Sequence, residues 1–199
     1  MQFTTFALAA LSVGSVLAAP STVARRDTVL DTVISAVSTA QTSVASEVAT
    51  INTALQGTIT LQDITAIQEF LTNIASAISN ATSAVAPLVN GVAPPPAQAE
   101  LDSLPGFVAS VGDIVSDVKN ATSGILSNVS GSSLPLVKLQ ALAVLATINP
   151  FVQPVTQFAS SAIDGVTDPV VTTVQSTLTA ISGTVGQLLG PILSDFLGL

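Results

Sequence analysis

Any acid–base chemistry in this chain has to come from carboxylates. Histidine and cysteine are both absent from its 199 residues. Their absence removes Ser-His-Asp and Cys-His catalysis and leaves oxygen donors alone for a metal. Two pairs of acids are close enough to act together: Asp113 with Asp117, and Glu100 with Asp102. Residues four apart share a helix face, and paired carboxyls are what glycoside hydrolysis uses. The same acids also suit a solvated helix face, or a helix N-terminus where the dipole favours negative charge. Enzymes that grip sugar rings normally carry Trp and Tyr, and this chain has neither, so the solvated reading is preferred. Nothing in the sequence supports a Ser-Lys dyad at Lys119 or Lys138. No acidic run resembles a calcium loop, and no glycine-rich phosphate loop occurs. The expectation is a protein that is not an enzyme, with no cofactor and no metal.

The charge balance bounds the partners. Twelve acids stand against four basic residues, a net charge of −8. Nucleic acid is excluded, because nothing would neutralise its phosphates. Docking onto anionic lipid is disfavoured for the same reason.

The N-terminus reads as a secretion signal over residues 1–19, with the apolar stretch "FTTFALAALSVGSVL" ending in small residues at "LAAP". Residues 20–26 then read as a short propeptide closing on the dibasic pair Arg25-Arg26, the pattern of a kexin-type processing site. Cleavage there would leave Lys119 and Lys138 against the same twelve acids, moving the net charge from −8 to −10. Three Asn-x-Ser/Thr sequons, at Asn80, Asn120 and Asn128, fit surface glycans on a secreted chain. Cysteine-free secretion is unusual, but a chain of this length buries enough surface to fold without staples.

The elements that would hold these residues are helices. From about Asp27 to Leu55, apolar residues recur every three or four positions: Val29, Val33, Val37, Ala40, Val44, Val48, Ile51 and Leu55. That is one stripe on a helix, and Gly57 ends it. Ile64, Ile67, Leu71, Ile74, Ile78, Ala81, Val85 and Leu88 form a second stripe, opened by a capping-box-like pair, Thr60 and Asp63. A Pro-rich connector at 90–99 follows, which extended proline cannot continue as helix. A looser stripe runs from about Ser103 to Val129. "LPLVKLQALAVLATINP" is apolar nearly all round, the mark of a central helix. It is expected to stop at Pro150, which makes it too short to span a membrane, and a short helix is expected after Pro154. A last helix opens at Asp168-Pro169, with Gly183, Gly186, Gly190 and Pro191 kinking or fraying its second half. The fold expected is all-α, a bundle of four to five amphipathic helices over residues 27–199.

The outer faces of these helices are unusual. "ISAVSTAQTSVASEVATI" carries a single charge, Glu47, among Ser, Thr and Gln. Mean hydropathy over the chain is +0.71. An aliphatic, weakly charged bundle can hold an apolar ligand between its helices or lay apolar faces on a hydrophobic surface. Phe107, Leu142, Phe151 and Phe158, large residues near helix breaks, are the candidate contacts for such a ligand. Serine and threonine are also acceptors for O-linked mannose.

Together, the "MQFTTFALAAL" signal, the "ARRD" junction and a cysteine-free helical region opening on "DTVISAVSTAQTSVASEVATINTAL" resemble the fungal hydrophobic surface binding protein A and cell wall galactomannoprotein family. The chain departs from that family in its few lysines, its lack of tyrosine and its extra Pro and Gly. The resemblance implies an all-helical extracellular protein that adsorbs to hydrophobic surfaces or binds lipids such as fatty acids, without catalysis. One alternative is a structural or adhesive glycosylated component of the cell wall, held in its polysaccharide matrix. Another is a membrane-active protein using Gly183–Leu199, without a transmembrane span in the mature chain.

Overall fold

The computed structural model describes residues 22–86 and 98–197. They form an all-α bundle of five long helices: α1 (Thr22–Ala54), α2 (Leu61–Val85), α3 (Gln98–Asn128), α4 (Leu134–Ile163) and α5 (Val170–Gln187). A π-helical turn, Leu188–Ile192, leads into the short α6 (Leu193–Leu197). There is no strand among the described residues. The expected signal, residues 1–19, lies outside them, as do residues 90–97 of the Pro-rich connector, whose last two residues, 98–99, open α3.

Hydrogen bonds between helices fix their directions. Asn73 on α2 donates to Glu47 Oε1 on α1 at 3.1 Å, and lower-numbered α1 residues face higher-numbered α2 residues, so the pair is antiparallel. Gln41 on α1 meets Asp113 on α3, while Leu55 lies against Gly124 farther along both, so α1 and α3 run parallel. Gln68 on α2 donates to the Leu136 carbonyl of α4, and Asn80 and Thr147 share a groove farther along both, so this pair is parallel too. Along α5, Ile181 packs by Gly112 and Gln187 receives the Lys119 ammonium of α3. The topology is therefore up-down-up-down-up. Four helices form a square in the order α1, α2, α4, α3, and α5 lies against α3 and α4.

The stripes are the core. From Val33 to Leu55 on α1 and from Ile64 to Val85 on α2, every stripe residue named from sequence is buried. The α2 start is a full capping box. Thr60 Oγ1 accepts the Asp63 N–H at 3.3 Å, and Asp63 Oδ2 accepts the Thr60 N–H at 2.8 Å. Gly57 turns the chain with φ at 90°, in the left-handed region where a Cβ is penalised. Asp168 acts at the head of α5, its Oδ1 accepting the Val170 N–H at 2.9 Å. The expected disturbance at Gly190 and Pro191 takes the form of the π-helical turn.

Four readings of the helices are corrected. First, α4 does not stop at Pro150: it is one helix of 30 residues with Pro150 and Pro154 inside it. A proline frees the carbonyl four residues earlier. Here those carbonyls belong to Ala146 and Pro150, both exposed, so water can take up the lost bonds. Second, α4 at this length is long and apolar enough to cross a membrane, so shortness no longer argues against a span. Its inner side, from Val137 through Ile148 to Ile163, is packed in the core. Third, α4 is not covered all round: it packs against α2, α3 and α5, as α3 packs against α1, α4 and α5. The outer side of α4 is apolar yet exposed, with Leu136 and Leu139 at 45% and 72%. In addition, α3 begins at Gln98, ahead of the expected start, and carries Pro105 within it.

The hydroxyls of the outer faces are spent locally. On α1, Thr39, Thr42, Ser43, Thr50 and Thr53 each donate to the carbonyl four residues back. Thr65, Thr72 and Ser76 do so on α2, and Thr177, Thr179 and Thr184 on α5. Such back-bonds weaken a helix slightly, so these helices depend on their buried stripes.

Candidate functional site

Asp113 and Asp117 stand one turn apart on α3, and Asp102 lies apart from them near the start of that helix. Asp113 is exposed, and its Oδ2 accepts from Gln41 Nε2 at 2.7 Å. Asp117, one turn on, is half-buried and holds its proton more tightly than an ordinary carboxylate, through burial first and the nearby Asp113 charge second. Two unlike carboxyls could in principle share acid and base roles. Beside them, however, is a shallow groove of about 170 Å³ between α3 and α5, walled by Ala109, Gly112, Ser116, Thr177 and Ile181. It is smaller than ordinary small-molecule pockets and has no aromatic wall to seat a sugar.

Glu100 and Asp102 lie in the first turns of α3. The Asp102 carboxylate receives a bond from Gln98 Nε2 at 3.2 Å, and the same amide reaches Asp168 Oδ2 at 3.5 Å. The arrangement therefore ties two helix starts together, at α3 and α5. Sequence spacing missed the partners, Gln98 and Asp168, because they are 70 positions apart. Among the described residues no group of His, Cys, Asp or Glu is placed to hold a metal ion.

Larger cavities lie along α2. A groove of about 810 Å³ runs between α1 and α2, lined by Ser35, Thr39, Ser43, Glu47, Asn73 and Ala77 among others. A second, of about 400 Å³, lies between α2 and α4, with Ser79, Gln140, Ala143 and Thr147 in its walls. Both are open, and both are walled mainly by small side chains. Gln140 Oε1 is buried there without a hydrogen-bond partner.

The aromatic candidates are elsewhere. Phe151 has no exposure and Phe107 has 2%, so both sit in the core. Phe158 is half-buried and meets Phe107 edge to face. Leu142 packs against the same core. None of the four lines a described groove.

The sequon asparagines Asn80, Asn120 and Asn128 are all exposed, two within helices and Asn128 at the end of α3. Asn80 borders both grooves along α2. The two "NAT" sequons are set alike. Each has a buried alanine, Ala81 or Ala121, and a threonine bonded to a carbonyl of its own helix. Thr122, the threonine of the Asn120 sequon, is fully buried. Arg25 and Arg26 fall within the first turns of α1.

The sequence also gave no notice of three exposed leucines. Leu61, Leu136 and Leu139 are the large hydrophobic residues exposed among those described, at 73%, 45% and 72%. A signal existed: all three lie off the stripes that fill the core. No protein-family model matches this chain, and neither a curated protein nor a solved structure matches it.

Proposed function

We propose that this is a secreted, non-catalytic protein of the extracellular space or cell wall that binds hydrophobic surfaces or lipids. The observation that carries the reading is the chemistry of the outer surface. Faces of α1, α2 and α5 that meet water are Ser, Thr and Ala with few charges, and their hydroxyls are already bonded to helix carbonyls. A surface of this kind holds its water weakly compared with one of Lys and Glu, so laying it on an apolar phase is less opposed by desolvation. The described cavities are open grooves rather than enclosed chambers, which favours adsorption over carriage of a lipid inside the bundle.

The deciding experiment mixes the purified, deglycosylated chain with triolein droplets in physiological salt and floats the droplets. The reading expects the protein in the floating layer, and protein left wholly in the aqueous layer would end it. Native mass spectrometry of the same sample separates surface binding from carriage, since a carrier retains a stoichiometric fatty acid.

A further inference from the structure

Leu61, Leu136 and Leu139 share one end of the molecule. Helices α2 and α4 are parallel neighbours, joined where Gln68 donates to the Leu136 carbonyl. Leu61 is the first residue of α2, and the other two leucines lie in the first two turns of α4. The opposite end is acidic. Asp31 in the third turn of α1, Asp102 near the start of α3, Asp164 after α4 and Asp168 before α5 lie toward it, together with Arg25 and Arg26 in the first turns of α1. Along α4 the two ends are about 40 Å apart at 1.5 Å per residue. The molecule is therefore asymmetric along its long axis, with the exposed leucines toward one end and the larger share of the carboxylates toward the other.

Resting on the hydrophobic-surface reading above, we propose that the bundle docks end-on, with Leu61, Leu136 and Leu139 entering an uncharged hydrocarbon surface and the acidic tip held in water. Three features select this occupant. The leucines line none of the described grooves, so the tip presents them outward and suits a deformable apolar phase rather than a shaped ligand. Three leucine side chains fall well short of the roughly 800 Å² that each partner gives to a stable protein interface. The net charge of −8 opposes an anionic bilayer and leaves an uncharged one unopposed. The charges toward this end are Asp63 and Glu69 on α2, Asp195 on α6, which packs on α4, and Lys138 on α4; Asp63 is already bound in the Thr60 cap. Asn128 closes α3 at the same end, so deglycosylated protein is the right material.

The test uses the whole secreted chain and triolein droplets. The variant carrying Leu61→Ser, Leu136→Ser and Leu139→Ser should bind at least tenfold more weakly while staying folded and helical at the assay temperature, its melting temperature lowered only modestly because Leu61 and Leu139 are exposed and Leu136 is half-exposed. The chain has no tryptophan, so Leu139→Trp and Ser160→Trp each report one position on α4. They are separated by about 30 Å of helix. On droplets, the Leu139→Trp emission should shift to the blue and the Ser160→Trp emission should stay put. Wild-type binding with an unaffected triple variant, or equal shifts at both positions, overturns end-on docking and leaves surface binding standing. A wild-type chain that does not bind droplets at all removes the parent reading and this one together. A wild-type dimer in sedimentation that the triple variant turns into a monomer assigns the leucines to a second copy and overturns the proposal.

Discussion

Phe107 of α3 and Phe158 of α4 meet edge to face, their ring centroids 6.4 Å apart and their planes at 82°. The contact clasps the two helices at the level where α4 has already passed both of its inner prolines. Aromatic pairs in this geometry contribute about 0.5–1.5 kcal/mol beyond burial. Phe107→Ala should therefore lower stability by about 3–5 kcal/mol, the usual range for a buried phenylalanine. Phe158→Ala should cost less, because that ring is half-exposed. A double-mutant cycle in urea measures the pair, and a coupling near zero would show that the rings are merely neighbours.

Thr60→Ala removes the hydroxyl of the α2 capping box and should cost about 1 kcal/mol. It should also change the response to acid. Hydrogen bonds from Thr60, its backbone N–H first, hold the Asp63 pKa below the ordinary carboxylate value. The folded state thus favours the charged form. That contribution is present above the ordinary value and is lost as pH falls through the lowered one. Urea midpoints measured across the acid range should show wild type losing part of its stability there and Thr60→Ala losing less.

Asp117 works in the other direction. Its pKa is raised, by burial and then by Asp113, so the folded state holds the proton that the unfolded chain has released. Stability falls as pH rises from the ordinary carboxylate value to the raised one, and the penalty is complete above it. Asp117→Asn should be more stable than wild type at neutral pH, with the difference vanishing below the ordinary carboxylate value. A difference that persists unchanged into acid would show that packing, not charge, causes it.

Gln140→Met should stabilise the α2–α4 seam by roughly 1 kcal/mol, since it replaces a buried, unpartnered carbonyl with an apolar group of similar length. Thermal melts read the change directly. A loss of stability would mean that water bonds this oxygen from the groove.

The second half of α5 is loosened by Gly183 and Gly186, and a Cβ at either would meet nothing within 4 Å. Gly183→Ala and Gly186→Ala should each gain up to about 1 kcal/mol from helix propensity alone. Gly124→Ala should gain less, because its Cβ would come within 3.3 Å of Leu55 Cδ1 and that side chain would have to shift. Hydrogen exchange along α5 should slow in the first two variants.

The sequence made the stripes legible because burial in a bundle follows one rule, a repeat of three to four residues. Val33 to Leu55 and Ile64 to Val85 obey it without exception. The α4 boundary was misread because Pro150 stops a helix only when its freed carbonyl is stranded. Whether that carbonyl faces water depends on which side of α4 the bundle covers. The site was less readable for a related reason. Phe107 and Phe151 were singled out as large apolar residues near breaks, but size and apolarity also describe core residues, and burial cannot be counted from one chain position. The leucines at the tip escaped notice because a stripe search records what lies on the stripe. The Gln98–Asp168 bond joins residues that only the parallel packing of α3 and α5 brings together.

The back-bonded hydroxyls have one more consequence. A serine or threonine has a single proton to give, and along α1, α2 and α5 many have given it to their own helix. What these residues turn outward is lone pairs and methyl groups. The skin of the bundle is thus rich in acceptors and poor in donors, and the carboxylates add to the same side of the balance. The exterior of these helices therefore asks for donors from its surroundings more than it offers them.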